Sequence, residues 1–239
     1  MAAAPAPADL EHVETWIFDL DNTLYAASTG LFSQIDRRMT EFIAKKYRLD
    51  TESAGRMRHA YYLSHGTTLS GLMEAEGLEP HEFLAYVHDI DLSPLVPRPD
   101  LAAALTRLPG RRFVYTNGSH AHAERVMDKL GVLSLFEAIH DIAAARYCPK
   151  PQRAAYEALL AEHAIAPESA AMFEDMPRNL EAPHALGMTT VLVRGHAKWA
   201  DLSEGARKPG HVHHFAPDLA QFLHQARVRK PNTPTAATQ

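Results

Sequence analysis

The sequence predicts an α/β protein: a parallel-sheet core with a helical domain inserted near its start. Three observations predict it. Short, nearly continuous apolar runs recur along the chain, as strands buried on both faces of a parallel sheet require. Between them lie segments whose apolar residues return every three or four positions, the pattern of amphipathic helices. From about Leu31 to Leu92 the alternation stops, and helical patterns follow one another with no convincing strand.

In chain order, VETWIFDL (13–20) is the first strand. LFSQIDRRMTEFIAKKY then carries Leu31, Phe32, Ile35, Met39, Phe42 and Ile43 on one helical face. Further helical patterns run through SAGRMRHAYYLSH, TLSGLMEAEG and PHEFLAYVHDI, so four short helices make an insert over residues 28–94. Two connections join it to the core beside the end of the first strand, the geometry of a lid. DLSPLVPRPD returns the chain, its three prolines forcing extended or turn geometry. After it come the helix PDLAAALTRL, the strand RRFVYTN (111–117), the helix HAERVMDKL and a weaker strand at AIHDI (138–142). PQRAAYEALLAEH is a helix with Pro151 suited to its first position. AAMFED (170–175) and TTVLVR (189–194) are strands separated by the helix RNLEAPHALG, and a weak strand HVHHF (211–215) precedes the helix DLAQFLHQA. The core thus takes residues 11–27 and 95–225, with an Ala/Pro-rich disordered lead-in at 1–10 and a flexible tail at 226–239.

Composition narrows the function. A net charge of −5 supplies no basic field for a nucleic acid polymer. No run approaches the roughly 18 apolar residues of a membrane span. MAAAPAPADL lacks the basic flank and apolar stretch of a secretory signal. The single cysteine, Cys148, cannot form an internal disulfide, in keeping with a reducing compartment. The expectation is a cytoplasmic protein acting on a small molecule.

Four motifs carry the chemistry, each where a strand ends or a helix is about to begin. Asp19 and Asp21, two apart in DLDNT, share a face on extended backbone, and two such carboxylates need a cation or a retained proton, for which a raised pKa on Asp21 is one route. A turn with capping aspartates is the plainer alternative. In VYTNGS, the Thr116 hydroxyl, the Asn117 amide and the first amides of the next helix suit a phosphate, unless they form only a capped turn. In YCPKPQ, two prolines aim Lys150 at developing negative charge, or simply hold a surface lysine. In MFEDMPRNL, Glu174 and Asp175 offer the hard oxygen ligands Mg²⁺ takes, or are solvated surface acids, while Asn179 can brace the loop.

Taken in this order, DLDNT, YTNG, the PKP lysine and FED resemble the four motifs of haloacid dehalogenase superfamily phosphohydrolases, over about residues 13–224. The resemblance implies a Rossmann-like core and identifies the insert with that superfamily's small helical cap. DLDNTLY with YYLSHGTTLSGLM looks most similar to the pyrimidine 5′-nucleotidase branch, which hydrolyses nucleoside monophosphates. It further implies that Asp19 is the nucleophile forming an aspartyl-phosphate, and that Asp21 is the general acid and base. Mg²⁺ would be held by Asp19, the Asp21 main-chain carbonyl, Asp175 and, through water, Glu174. Thr116, Asn117 and Lys150 would hold the remaining phosphate charge. A dehalogenase has no alkoxide to protonate and usually lacks the second acid, so Asp21 favours phosphate ester chemistry.

His65, Thr67, Thr68 and Gly71 form the candidate specificity loop, and His59, Tyr61, Tyr62 and His65 are candidates for stacking on a base or for simple packing. Arg178 is placed to pair with Glu174 or Asp175. His211 and His213 share a face if they lie on a strand, but third and fourth metal ligands are not evident.

Overall fold

The computed structural model describes residues 7–193 and 209–229. Six strands form one sheet in which every pairing is parallel: β1 (Thr15–Phe18), β2 (Arg111–Tyr115), β3 (Ala138–His140), β4 (Ala170–Glu174), β5 (Thr189–Val193) and β6 (His214–Ala216). Their order is β3-β2-β1-β4-β5-β6, so the chain reverses direction across the sheet at β1. Ligands in such folds bind at that reversal, beyond the carboxyl ends of the strands.

Helices cover both faces, which is why the central strands read as unbroken apolar runs. Trp16 and Phe18 point to one face, where they join α5 (Pro99–Thr106), α6 (His120–Leu130) and α9 (Leu219–Gln225). Ile17, Phe113, Tyr115 and Met172 point to the other, against α7 (Arg153–Glu162), with α8 (Glu181–Ala185) partly packed on the same face. The β1–β4 register sets Phe18 beside Phe173, and their rings stack at 4.6 Å.

Between β1 and α5 stand four helices: α1 (Leu31–Tyr47), α2 (Thr51–His65), α3 (Thr68–Glu76) and α4 (Pro80–Val87). Their starts follow local chemistry. Asp50 and Thr67 accept hydrogen bonds from Ser53 N and Ser70 N at the N-termini of α2 and α3, and Pro80 opens α4. Phe42 and Phe83 meet edge to face at 5.2 Å inside this bundle. Its apolar core is continuous with the α5/α6/α9 face of the sheet.

Several local expectations are corrected. Pro151 does not open α7, which begins at Arg153 after Gln152; Pro151 instead follows Lys150 across a cis peptide bond. His211 and His213 precede β6 and do not lie on it. Leu10 and Ala226, expected in the lead-in and the tail, are buried, and Leu10 N donates to Arg227 O at 2.9 Å. Residues 1–6 and 230–239, and Arg194 of the expected fifth strand, lie outside the described residues. No described helix is long and apolar enough to cross a membrane.

Candidate functional site

The three adjacent strands β2, β1 and β4 end together, and the segments just beyond their ends converge. Asp19 extends the ladder one residue past β1, its amide donating to Phe173 O at 2.9 Å. Immediately beyond Asp21 the chain turns: Asn22 takes φ 64°, and the Thr23 and Leu24 amides fold back onto Leu20 O. Glu174 is the last residue of β4, and Asp175 comes directly after it.

Lys150 lies at the centre, 2% exposed. Its Nζ donates to Asp19 Oδ1 at 2.6 Å, Glu174 Oε2 at 2.7 Å and Tyr115 O at 3.1 Å. Its loop is aimed by a side chain and not by prolines alone. Asn117 Oδ1 accepts from Lys150 N at 2.9 Å, and Asn117 Nδ2 donates to Lys150 O at 3.2 Å. Asn117 therefore clamps the lysine loop, a role the sequence did not suggest. The phosphate cradle is also more occupied than expected. Gly118 N donates to Thr116 Oγ1, His120 N to Asp141 Oδ2 and His122 N to Ser119 Oγ. The Thr116 hydroxyl keeps its own proton to donate.

One oxygen from each of Asp19, Glu174 and Asp175 lies within 4.8 Å of the others. Three carboxylates face one ammonium. Burial, then the charge of Glu174, raises Asp19 to about 7 despite Lys150. Burial, Glu174 and Asp19 raise Asp175 to about 10. Burial alone would depress Lys150, but Asp19 and Glu174 outweigh it and hold the ammonium above the usual lysine range. With all three acids ionised the cluster is two positive charges short, and every free donor is a hard oxygen, so these residues fit Mg²⁺.

Asp21 stands apart from this cluster. Tyr25 OH donates to its Oδ1 at 2.6 Å, and His122 Nε2 meets the same oxygen at 3.0 Å. Burial would raise Asp21, but the charge and hydrogen bond of His122 and the Tyr25 hydroxyl prevail and hold it below the usual carboxylate range. The raised pKa considered for Asp21 is thus found on Asp19 and Asp175 instead. The His122 ring stacks on His88 at 4.4 Å, and His88 Nδ1 meets Ser119 Oγ at 2.9 Å. Burial, then His122, depresses His88 to about 3, so it is neutral. Sequence reasoning passed over Tyr25, His88 and His122. A signal existed for one of them: His122, Val126 and Leu130 recur at intervals of four, which puts a histidine on the buried face of α6.

The acids and Lys150 line one wall of a cavity of ≈540 Å³, within the range of small-molecule sites. The opposite wall comes from the helical insert, with Phe32, Ile35, Met39, His59 and Tyr62 among its lining residues. Of the expected specificity loop, Thr67 and Thr68 line the cavity. His65 instead meets Ser64 Oγ and lies 3.7 Å from Glu74. Gly71 lets α3 approach α2, since a Cβ there would fall 2.4 Å from Tyr61. Tyr61 donates outward to Glu76 at 2.6 Å. Arg178 stacks on Tyr62 at 4.4 Å and donates to Gly66 O at 3.2 Å, joining the β4 loop to the insert where a pairing with Glu174 or Asp175 was expected. Asn179 braces its loop through its carbonyl, which accepts from Tyr156 OH at 2.6 Å. His211 meets Pro177 O and His213 meets Thr190, so the two histidines do not converge.

A family model described as haloacid dehalogenase-like hydrolase matches residues 13–187. The chain belongs to the haloacid dehalogenase-like hydrolases. Among solved structures, this hydrolase resembles a HAD phosphatase from Thermococcus onnurineus (15% identity, TM-score 0.59), covering 90% of this chain and all of that one. It resembles an L-2-haloacid dehalogenase from Xanthobacter autotrophicus (16%, TM-score 0.54) over 89% and 97% of the two chains. Both likenesses concern the fold. In sequence it is 29% identical to phosphate metabolism protein 8 of Saccharomyces cerevisiae, over 53% of this chain and 42% of the yeast protein. The match therefore spans less than half of that relative.

Proposed function

We propose that this hydrolase cleaves phosphate monoesters through an aspartyl-phosphate, with a pyrimidine nucleoside 5′-monophosphate as preferred substrate. One observation carries the reading. A second buried carboxylate, Asp21, lies on the cavity wall outside the carboxylate cluster, with both Tyr25 and His122 on Oδ1. Its other oxygen is left for a substrate atom. Displacement of halide requires no such proton donor, whereas expulsion of an alkoxide does.

In this mechanism Asp19 attacks phosphorus in line and forms the acyl phosphate. Lys150, bonded to Asp19 Oδ1, fixes that carboxylate and leaves Oδ2 to attack. Asp21, held on Oδ1 by Tyr25 and His122, protonates the leaving oxygen and then accepts a proton from the water that attacks the acyl phosphate. Asn117 acts by holding the Lys150 loop, and Thr116 donates its hydroxyl to a phosphoryl oxygen. Asp19, Asp175, Glu174 and the Asp21 main-chain carbonyl would hold Mg²⁺, which when bound neutralises phosphoryl charge. The phosphatase in the Thermococcus structure's name and the phosphate metabolism in the yeast relative's name agree with this chemistry.

The apolar residues of the opposite wall favour a leaving group with a flat, weakly polar part, such as a nucleobase, over a sugar phosphate or phosphoglycolate. Asp36, Arg58, Thr67 and Thr68 supply polar contacts there. The test is phosphate release, with and without Mg²⁺, across 5′-nucleotides, sugar phosphates and phosphoglycolate, alongside halide release from L-2-haloacids. Release from UMP and CMP above the others supports the reading. Halide release without phosphate release refutes it.

A further inference from the structure

We infer that His140, Glu162 and His163 form a second metal site, one that takes a zinc-class transition ion at the junction of β3 and α7. His140 ends β3, Glu162 ends α7 and His163 comes next in the chain. One donor atom from each lies within 4.8 Å of the others. His140 Nδ1 is 3.3 Å from Glu162 Oε2, and His163 Nε2 is 3.9 Å from Glu162 Oε1.

The hydrogen bonding of the two rings points to a ligand. The His140 side chain is 0% exposed, yet neither of its ring nitrogens has a hydrogen-bond partner, and the buried His163 Nε2 has none. Core histidines ordinarily satisfy at least one nitrogen. Here three nitrogens make no hydrogen bond, and two of them face a single carboxylate at 3.3 and 3.9 Å, an arrangement that a cation completes.

The backbone around them is fixed. His140 O accepts from Thr116 N at 3.1 Å, within the β2–β3 pairing. His163 N donates to Leu159 O at 3.2 Å, and its carbonyl accepts from Arg111 Nη1 at 2.6 Å. Its ring packs on Phe113 at 4.7 Å. Arg111 is itself paired with Glu137 at 2.7 Å, so its charge near the site is matched.

Two imidazoles and a carboxylate suit Zn²⁺, Co²⁺ or Ni²⁺ and not Mg²⁺, the reverse of the all-oxygen cluster at Asp19. Glu162 is half exposed, which gives the ion a route from solvent and leaves a fourth position for water. Tyr115 separates this site from the catalytic lysine: its ring lies 5.3 Å from that of His140 and 5.2 Å from Lys150 Nζ. The ion would act structurally, tying β3 to α7.

Titrating the metal-free full chain with Co²⁺ in excess Mg²⁺ tests this, since Mg²⁺ occupies the oxygen cluster and the visible d–d bands report a tetrahedral nitrogen–oxygen site. One equivalent should bind with such bands, and Zn²⁺ should displace it and raise the melting temperature. Glu162→Gln and His163→Asn, both at the surface end of α7, should each weaken binding by about tenfold or more. His140→Asn should abolish it, and Asp175→Asn should leave the bands intact. Absence of bands in the unaltered chain would overturn the assignment. So would bands unchanged in both Glu162→Gln and His163→Asn, or bands lost in Asp175→Asn alone.

Discussion

The two walls of the candidate-site cavity hold their side chains by different means. On the wall built from β1, β2 and β4, Lys150 spans two carboxylates and a carbonyl, and Asn117 grips the lysine's own backbone on both sides. On the wall built by the helical insert, Phe32, Ile35 and Met39 lie on one amphipathic helix, held by packing. The first wall is charge-dense and directional. The second is apolar, and its shape results from how four helices pack. The proposed function places chemistry on the first and selectivity on the second, a division that substitutions can break.

The largest effect belongs to the proposed nucleophile. Asp19→Asn should reduce turnover at least about a thousandfold while circular dichroism stays unchanged. Retained activity would remove Asp19 from the reaction. Lys150→Ala should come next, with a cost in stability as well, because it strands Asp19 and Glu174 without their cation. Loss of one partner from a buried pair costs about 3–5 kcal/mol. A denaturant midpoint unchanged in Lys150→Ala would show that the cluster does not depend on the ammonium.

His122→Ala should act more selectively. In the proposed mechanism expulsion of an alkoxide needs a proton from Asp21, which His122 orients, whereas p-nitrophenolate leaves without one. Turnover of UMP should therefore fall about a hundredfold, within the span of general acid catalysis, and the burst phase with p-nitrophenyl phosphate should fall much less. Equal losses on both substrates would make His122 merely structural.

The carboxylate cluster also predicts a pH-dependent response to metal. The folded, metal-free protein holds protons on Asp19 up to about 7 and on Asp175 up to about 10, which the unfolded chain releases near 3.8. These groups therefore make stability fall as pH rises from 3.8, through about 7 for Asp19 and on to about 10 for Asp175. His88 opposes this at the acidic end, because it stays neutral down to about 3 while the unfolded residue binds a proton below 6.5. Comparing melting temperatures with and without Mg²⁺ cancels His88 and isolates the acids. The stabilisation by Mg²⁺ should be small near pH 5 and grow towards pH 8. An increment that does not change with pH would place the cation elsewhere.

The smallest effects lie on the insert wall. Substituting Thr67 or Tyr62 should change the ratio of nucleotide to p-nitrophenyl phosphate turnover by about tenfold, the scale of a single pocket contact. His65→Ala should change it little, because that side chain turns toward Glu74. A large change at His65 with none at Thr67 would reverse the assignment of the specificity wall.

The same contrast explains what could be read in the sequence. Asp19, Lys150, Glu174 and Asp175 were legible because each adjoins a pattern that fixes its place: an apolar run ending at the sheet edge, or a lysine between prolines. The contribution of Asn117 was not, because its partner is a backbone segment 33 residues away. His122 meets Asp21 across 101 residues, a distance no local pattern reports. In the insert, the 3.6-residue period located the helices but could not say which apolar residues line a cavity and which fill the core, since both lie on the same face. His65 ends α2 and Thr67, two residues on, caps α3, and the chain direction at Gly66, not the residue type, decides which of them the cavity admits. The bridge between residues 9 and 227 escaped for a related reason: each half looks featureless alone.

The central claim, that Asp19 takes the phosphoryl group and Asp21 manages its protons, meets its most direct test in Asp21→Asn with p-nitrophenyl phosphate and Mg²⁺ under rapid mixing. The leaving group departs unaided, but the water that should release the phosphate lacks its base. One p-nitrophenolate per enzyme should appear in a fast burst, with a phosphate adduct on Asp19 found by mass spectrometry of the quenched protein. Steady release with no burst, and an unmodified Asp19, would contradict the account.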